Sequence, residues 1–379
     1  MLRGAGAGLL NMDLAVQSEE PARLADAAPK SILAFPQHQA VDAAQYTSLL
    51  YDEMQKGGVA ISEYKRYFGA NAEADLFHFH WPDRAFRGLG KLLPAISTRG
   101  FARFFSTISS FRARGGLVVW TVHNLYPHDF PSEKLKGMYR IFEEKYISNI
   151  DGFIFLNELG REEFFAKFPG VSRDRCAVIP HMVPGQTEPL SDDAAPAEVK
   201  DKLLGRKMYF LPGQVRRYKN IEQAVALFDQ IKDGDEMLLV AGKPVDKTYA
   251  KELEASLGGR SDAIFLQRAV TPREIAWCFQ NSLATLSLRA PNGNSGVVFD
   301  ALANRNPVIV NPGAIRDELA ALVGADWLVD AQASSRDIRA AVLKAKPPPR
   351  LEWGSARVIA DQHMRFFSRL AHERSVSGA

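Results

Sequence analysis

Two separated clusters in this sequence have the residue types and spacing to hold a negatively charged group. The first is Gly213-Gln214-Val215-Arg216-Arg217-Tyr218-Lys219-Asn220, where three cations follow directly on a short apolar run. Guanidinium forks and an ammonium point charge suit a phosphate or a diphosphate. The second is residues 291–313, PNGNSGVVFDALANRNPVIVNPG. Its Pro291-Asn292-Gly293-Asn294 cluster demands a turn, Ser295 is suited to cap a helix, and the backbone N–H groups from Gly296 onward would be the unpaired ones of a helix start. Gly213, Arg216, Lys219, Asn294, Ser295 and Gly296 are therefore the candidate anion-binding residues. A third group is rich in histidine: His78 and His80 in DLFHFH, His123 before Asn124, His128 beside Asp129, and His181. His78 and His80 stand two apart, so on a strand they face the same way. No third ligand follows at a metal-binding spacing, and hydrogen bonding or packing is expected of them rather than a metal site.

The elements that must position these residues read as alternating strands and helices. Apolar runs at 31–36 (SILAFP), 59–64, 75–80, 117–122 (LVVWTV), 152–156 and 176–180 alternate with helical periodicity, notably at 42–56, 132–150 and 158–168. A run as continuous as LVVWTV is the mark of a strand covered on both faces. A second series begins at 207–211 and continues through strands at 237–241, 263–266, 282–288 and 307–310, with helices at 221–231, 247–257, 272–280 and 296–304. This is an α/β chain with two parallel-sheet domains, whose ligands collect at the carboxyl ends of the strands. The expected divisions are a loose tail at 1–30, a first domain at 31–184, a linker at 185–204, a second domain at 205–346, and a final segment at 347–379. Pro347-Pro348-Pro349 precedes a last helix at 354–371, long enough to cross back onto the first domain. Asp233-Gly234-Asp235 has the form of a metal-binding acidic triplet, but it joins a helix to a strand and reads as a polar turn.

The chain has 379 residues, 46% of them hydrophobic and 24% charged, which suits two globular domains. A net charge of +3 is too small to make nucleic acid the main partner. Cys176 and Cys278 are far apart, which argues against a disulfide framework and fits a reducing cytoplasm. No run is long enough to cross a bilayer. Residues 84–128 contain no Asp or Glu, and Arg99, Arg103, Arg112 and Arg114 alternate with Phe101, Phe104, Phe105, Ile108 and Phe111. That composition predicts a basic helix lying on an anionic membrane surface with its phenylalanines in the acyl boundary.

Two dinucleotide-fold halves, a G-x-x-x-x-x-K-N loop opening the second (Gly213 to Asn220), and a glycine loop leading to a helix and Pro307-Val308-Ile309 resemble the GT-B glycosyltransferases. HFHWP, WTVHNLYPHD and NSG are similar to segments of bacterial enzymes that assemble exopolysaccharide or capsule units on a lipid carrier, including the xanthan-type mannosyltransferases. The resemblance implies a nucleotide sugar, UDP- or GDP-linked, held by the second half, a lipid-linked saccharide acceptor held by the first across a cleft, and no cofactor or metal. It implies that Lys219 and Arg216 bind the diphosphate, that the Ser295 and Gly296 amides bind its oxygens, that Asp300 meets the ribose and that His123 meets the donor sugar. The Glu-x7-Glu motif of the large retaining family is absent, since Asn292 and Asp300 stand at its two positions, so both stereochemical outcomes stay open. For an inverting reaction Asp129, with His128 beside it, is the first candidate base and Glu158 the second. His80 falls on the acceptor side. The location implied is the cytoplasmic face of the cell membrane. A sugar-nucleotide epimerase and a non-catalytic nucleotide-binding protein are the competing classes.

Overall fold

In a computed structural model the described residues are 27–36, 46–64, 74–82, 94–125, 133–289 and 295–377. The chain divides into unit 1, residues 1–181 with 356–379, and unit 2, residues 182–355.

In unit 1 the strands are β1 (Ser31–Phe35), β2 (Ala60–Glu63), β3 (Leu76–Phe79), β4 (Leu117–Val122), β5 (Gly152–Phe155) and β6 (Cys176–Val178). All pair in parallel, in the order β2-β1-β3-β4-β5-β6. The strand order reverses between β1 and β3, the position at which open α/β sheets leave a crevice. Helices α1 (Tyr46–Lys56), α2 (Pro94–Ala113), α3 (Glu133–Ile147) and α4 (Glu158–Lys167) lie between strands.

Period-two alternation sorts the strand side chains onto two faces. Leu33, Phe77, Phe79, Trp120, Phe153 and Phe155 join one buried cluster with Phe104, Ile108 and Phe111 of α2. The opposite face carries Ile32, Ala34, His78, Val119, Thr121 and Ile154, all fully buried. Tyr51 of α1 and Phe367 of the last helix pack on that face against His78.

Unit 2 holds β7 (Met208–Pro212), β8 (Met237–Ala241), β9 (Ala263–Leu266), β10 (Ser282–Ser287), β11 (Val308–Val310) and β12 (Leu328–Asp330), again all parallel, in the order β12-β11-β10-β7-β8-β9. This is the dinucleotide-fold order, with its switch point between β7 and β10. Helices α5 (Ala197–Leu203), α6 (Ile221–Ile231), α7 (Lys247–Leu257), α8 (Pro272–Gln280), α9 (Gly296–Ala303), α10 (Ala314–Val323) and α11 (Ser335–Leu343) flank the sheet. Met208 and Phe210 enter one cluster, Tyr209 and Leu211 the other. Both faces being covered is why strands such as β7 and β8 read as unbroken apolar runs.

The last helix, α12 (Ala356–Ser377), belongs to unit 1. Gly152 leaves room for Leu370 and Phe366, while Arg374 donates to the Gly116 carbonyl at 2.9 Å and lies 3.6 Å from Asp151.

Three expectations are corrected. Residues 185–204 are not a linker: they hold α5, and Ala194 and Val199 are buried in the unit 2 core. The division between the units falls at 181/182 and 355/356 rather than near 184 and 346. Among the described side chains of α2, Phe104, Ile108 and Phe111 do not face outward but are core residues, with Phe104 packed on the rings of Phe35, Tyr64, Phe77 and Phe79. Arg103 and Arg114 are exposed, whereas Arg112 is half-buried and pairs with Asp151 at 3.2 Å. The side chains of Arg99 and Phe101, and the tail at 1–26, lie outside the described residues. Asp233-Gly234-Asp235 is the expected turn, Gly234 taking φ 59° between α6 and β8.

Candidate functional site

The switch point of unit 2 brings the described parts of the two candidate clusters to one sheet edge. β7 and β10 are neighbours, so the loop after β7 and the loop after β10 leave the same sheet edge side by side. Asn220, in the left-handed conformation at φ 52°, donates from Nδ2 to the Leu288 carbonyl at 2.9 Å. From the end of β11, Asn311 Nδ2 donates to the same carbonyl at 2.9 Å and to that of Arg289 at 3.2 Å. The backbone from which Arg289 leaves the sheet is thereby fixed from both sides.

Lys219 is the centre of this site. Its ammonium donates to the Pro212 carbonyl at 3.0 Å and lies against Gly213, where a Cβ would collide with Nζ and sit 3.8 Å from Val297 Cγ2 in the first turn of α9. The lysine and the start of α9 therefore meet over Gly213. Gly213 takes φ 107°, a conformation open to glycine, and its carbonyl rests directly on Gly242 where a side chain would clash. Burial, then the charges of Arg289 and Arg216, lower the Lys219 pKa from 10.5 to about 8. Arg216 is oriented by Gln214, whose Oε1 accepts from Nε at 3.1 Å, and the Arg289 guanidinium lies 5.7 Å over the Tyr218 ring.

Ser295 caps α9 without a side-chain bond to its amides, which leaves the positive end of the helix beside these cations. Asp300 stands one turn in from Val297 on the same face of α9, and burial raises its carboxyl to about 6. Three cations and a helix start at one sheet edge can neutralise a diphosphate, and Asp300 can accept bonds from hydroxyl groups.

Arg217 is not part of this group, because it turns to α7, bonding Glu252 at 2.8 Å and lying over Tyr249 at 4.6 Å. Arg289 is the residue that sequence reasoning missed. Its signal was a cation placed directly after a strand, beside a turn cluster read only for its backbone.

Unit 1 has a polar cluster at its own switch point. His78 and His80 leave β3, His123 follows β4, His181 follows β6, and His363 comes from α12, so five histidines from four segments share one neighbourhood with Tyr46 and Tyr51. Tyr51 bridges His78 Nδ1 at 3.0 Å and His80 Nε2 at 2.9 Å, and His80 Nδ1 lies 2.9 Å from His123 Nε2. His123 is stacked on Trp81 at 4.3 Å and edged by Tyr46 at 4.9 Å, while Tyr46 also meets His181 at 5.0 Å and His363 Nε2 at 3.5 Å. His123, expected to meet the donor sugar, and His80, expected on the acceptor side, lie in direct contact; neither that contact nor the approach of His363 had a local sequence signal. Burial lowers His78 well below an ordinary imidazole and His363 to about 4.

Glu158 opens α4 and pairs with Arg161 at 2.6 Å, which ties its carboxylate to its own helix. Asp129, His128 and Asn294 lie outside the described residues. Among the described residues no three His, Cys, Asp or Glu side chains are grouped to hold a metal, and no helix is long and apolar enough to cross a membrane.

Two parallel six-stranded sheets with these strand orders give the chain the GT-B fold of glycosyltransferases. It is similar to α,α-trehalose 6-phosphate synthase from Burkholderia multivorans, with a TM-score of 0.59 at 13% identity over 93% of this chain and 99% of the other. Anabaena HepE in complex with UDP and glucose gives 0.58 at 14%, over 92% and 99%. AviGT4, a glycosyltransferase involved in avilamycin A biosynthesis, gives 0.54 at 14%, over 90% and 98%. No protein-family model matches the chain, and no curated protein matches it.

Proposed function

We propose that the protein is a glycosyltransferase that takes a sugar from a nucleoside-diphosphate donor bound at the switch point of unit 2. The observation that carries this reading is Lys219, half-buried beside the first turn of α9 with Arg216 and Arg289 close enough to lower its pKa, an arrangement that an anion relieves. In the reaction an acceptor hydroxyl oxygen bonds to the anomeric carbon as the bond from that carbon to the diphosphate oxygen breaks, and the hydroxyl proton passes to the leaving diphosphate or to a base beside the acceptor. Lys219, Arg216 and the α9 amides take up the charge that develops on the leaving diphosphate. UDP and glucose bound to HepE support the donor class.

The donor is a UDP-sugar or GDP-mannose. The finer reading places a lipid-linked saccharide in the acceptor role, in exopolysaccharide or capsule assembly at the inner membrane face. It draws on the sequence resemblance and on the exposed Arg103 and Arg114 alone, since Phe104 is buried.

Thermal shift with UDP, GDP and their sugars tests the donor site. A ligand at about 100 times its dissociation constant should stabilise the protein by about 2.7 kcal/mol. No shift with any nucleotide would sink the reading, and binding without transfer to any saccharide would leave a nucleotide-binding protein in its place.

A further inference from the structure

We propose that Thr121, His78, Tyr51 and His80 form a hydrogen-bond relay of fixed direction that holds His123 as a neutral imidazole with its proton on Nδ1.

The direction follows from the inner end. Thr121 is fully buried on β4, and its hydroxyl bonds His78 Nε2 at 2.8 Å. Among the described residues it has no other acceptor. Were His78 to donate from Nε2, the threonine proton would be buried unpaired, which is the costlier arrangement. The hydroxyl therefore donates, and Nε2 accepts. Burial, and then the nearby His363 and His123, disfavour a charge on His78, so its single proton sits on Nδ1 and is given to the Tyr51 oxygen at 3.0 Å. The Tyr51 proton is then free to pass only to His80 Nε2 at 2.9 Å. A charged His80 would make that oxygen accept two N–H bonds and strand the phenol proton, so His80 is neutral and carries its proton on Nδ1. It donates to His123 Nε2 at 2.9 Å. With Nε2 accepting, the proton of a neutral His123 is on Nδ1.

The groups facing the relay are Tyr46 of α1, Trp81 after β3, His181 after β6, and His363 and Phe367 of α12. Thr121, His78, Tyr51 and His80 are positioning residues. Any contact of His123 with a sugar substrate rests on the proposed function, whereas the relay does not.

Nitrogen NMR of the full chain labelled with ¹⁵N-histidine tests the relay without an activity assay. His123 is assigned by the signals lost in His123→Gln. At pH 7 the wild type should show His80 and His123 each with a protonated-type Nδ1 and an unprotonated-type Nε2. Tyr51→Phe cuts the relay and should draw the two nitrogen shifts of His123 toward each other, while Thr121→Ser should leave them apart. A wild-type His123 that carries its proton on Nε2, or averages between the nitrogens, overturns the proposal even if Tyr51→Phe fails to fold. So does a folded Tyr51→Phe protein with unchanged His123 shifts. Loss of transfer with an intact nitrogen pattern counts against the proposed function and leaves the relay standing.

Discussion

Lys219 is the residue whose chemistry is most sharply set by its surroundings. Its pKa is lowered in the fold, so its burial opposes folding below about pH 8, and that cost fades as the pH rises toward 10.5. Anion binding has the opposite dependence, since it needs the ammonium. Diphosphate affinity measured calorimetrically should be steady below about pH 8 and then fall by up to tenfold per pH unit. Lys219→Ala should lower affinity by about 10- to 100-fold, the scale of about 1.5–3 kcal/mol for a bond to a charged group, and should flatten the fall above pH 8. Gly213→Ala puts a methyl group into the ammonium at a positive φ, and should cost about 1–3 kcal/mol in denaturant melts as well as nucleotide affinity.

At the scale of elements, α2 shows how composition and position can point in different directions. Phe104, Ile108 and Phe111 recur at i, i+4 and i+7, which is the stripe of any helix packed on a sheet, and the arginines between them were bound to face elsewhere. Reading the one-sided charge ahead of the stripe gave a membrane face. Phe104→Ala should cost about 3–5 kcal/mol of stability, as large cavities do. Arg103→Glu with Arg114→Glu reverses the charge at two exposed positions. Sedimentation with anionic vesicles then tests the remaining basic surface: equal binding by this pair and by the wild type would remove the membrane from the account. The α12 helix carries its own pH dependence. His363 is neutral when folded, with its pKa near 4, and an unfolded imidazole takes a proton near pH 6.5. Its contribution is therefore present above about pH 6.5 and lost as the pH falls toward 4, about 2 kcal/mol of it by pH 5. Thermal melts between pH 7.5 and pH 5 should show the loss, and His363→Leu should reduce it.

For the whole molecule, the two sheets were readable because strands such as Leu117–Val122 and Met237–Ala241 are covered on both faces and so are almost wholly apolar. The candidate anion site was proposed from loops that follow strands directly. What escaped was long-range: Arg289 meets Lys219 only through the adjacency of β7 and β10, and His363 reaches His78 from a helix remote in sequence. Short terminal elements such as β12 and α11 were also missed, being too brief to show a period. Hydrogen exchange followed by mass spectrometry should divide the chain accordingly. UDP or GDP should increase protection at 213–220 and 296–303, and acidification to pH 5 should loosen β3 and α12; protection spread evenly over the chain in both cases would contradict the assignments.

Unit 1 is made of two stretches of chain, with the whole of unit 2 between them. Ribosomal synthesis delivers residues in order, and domains ordinarily settle as they emerge. Here the first strands leave the exit tunnel with one sheet face covered only in part, by α1, and the helix that completes the cover, bearing His363 and Phe367, is translated only after residue 355. The middle of the polypeptide is therefore the first part able to mature, and the nascent amino-terminal half is the part that would call on a chaperone.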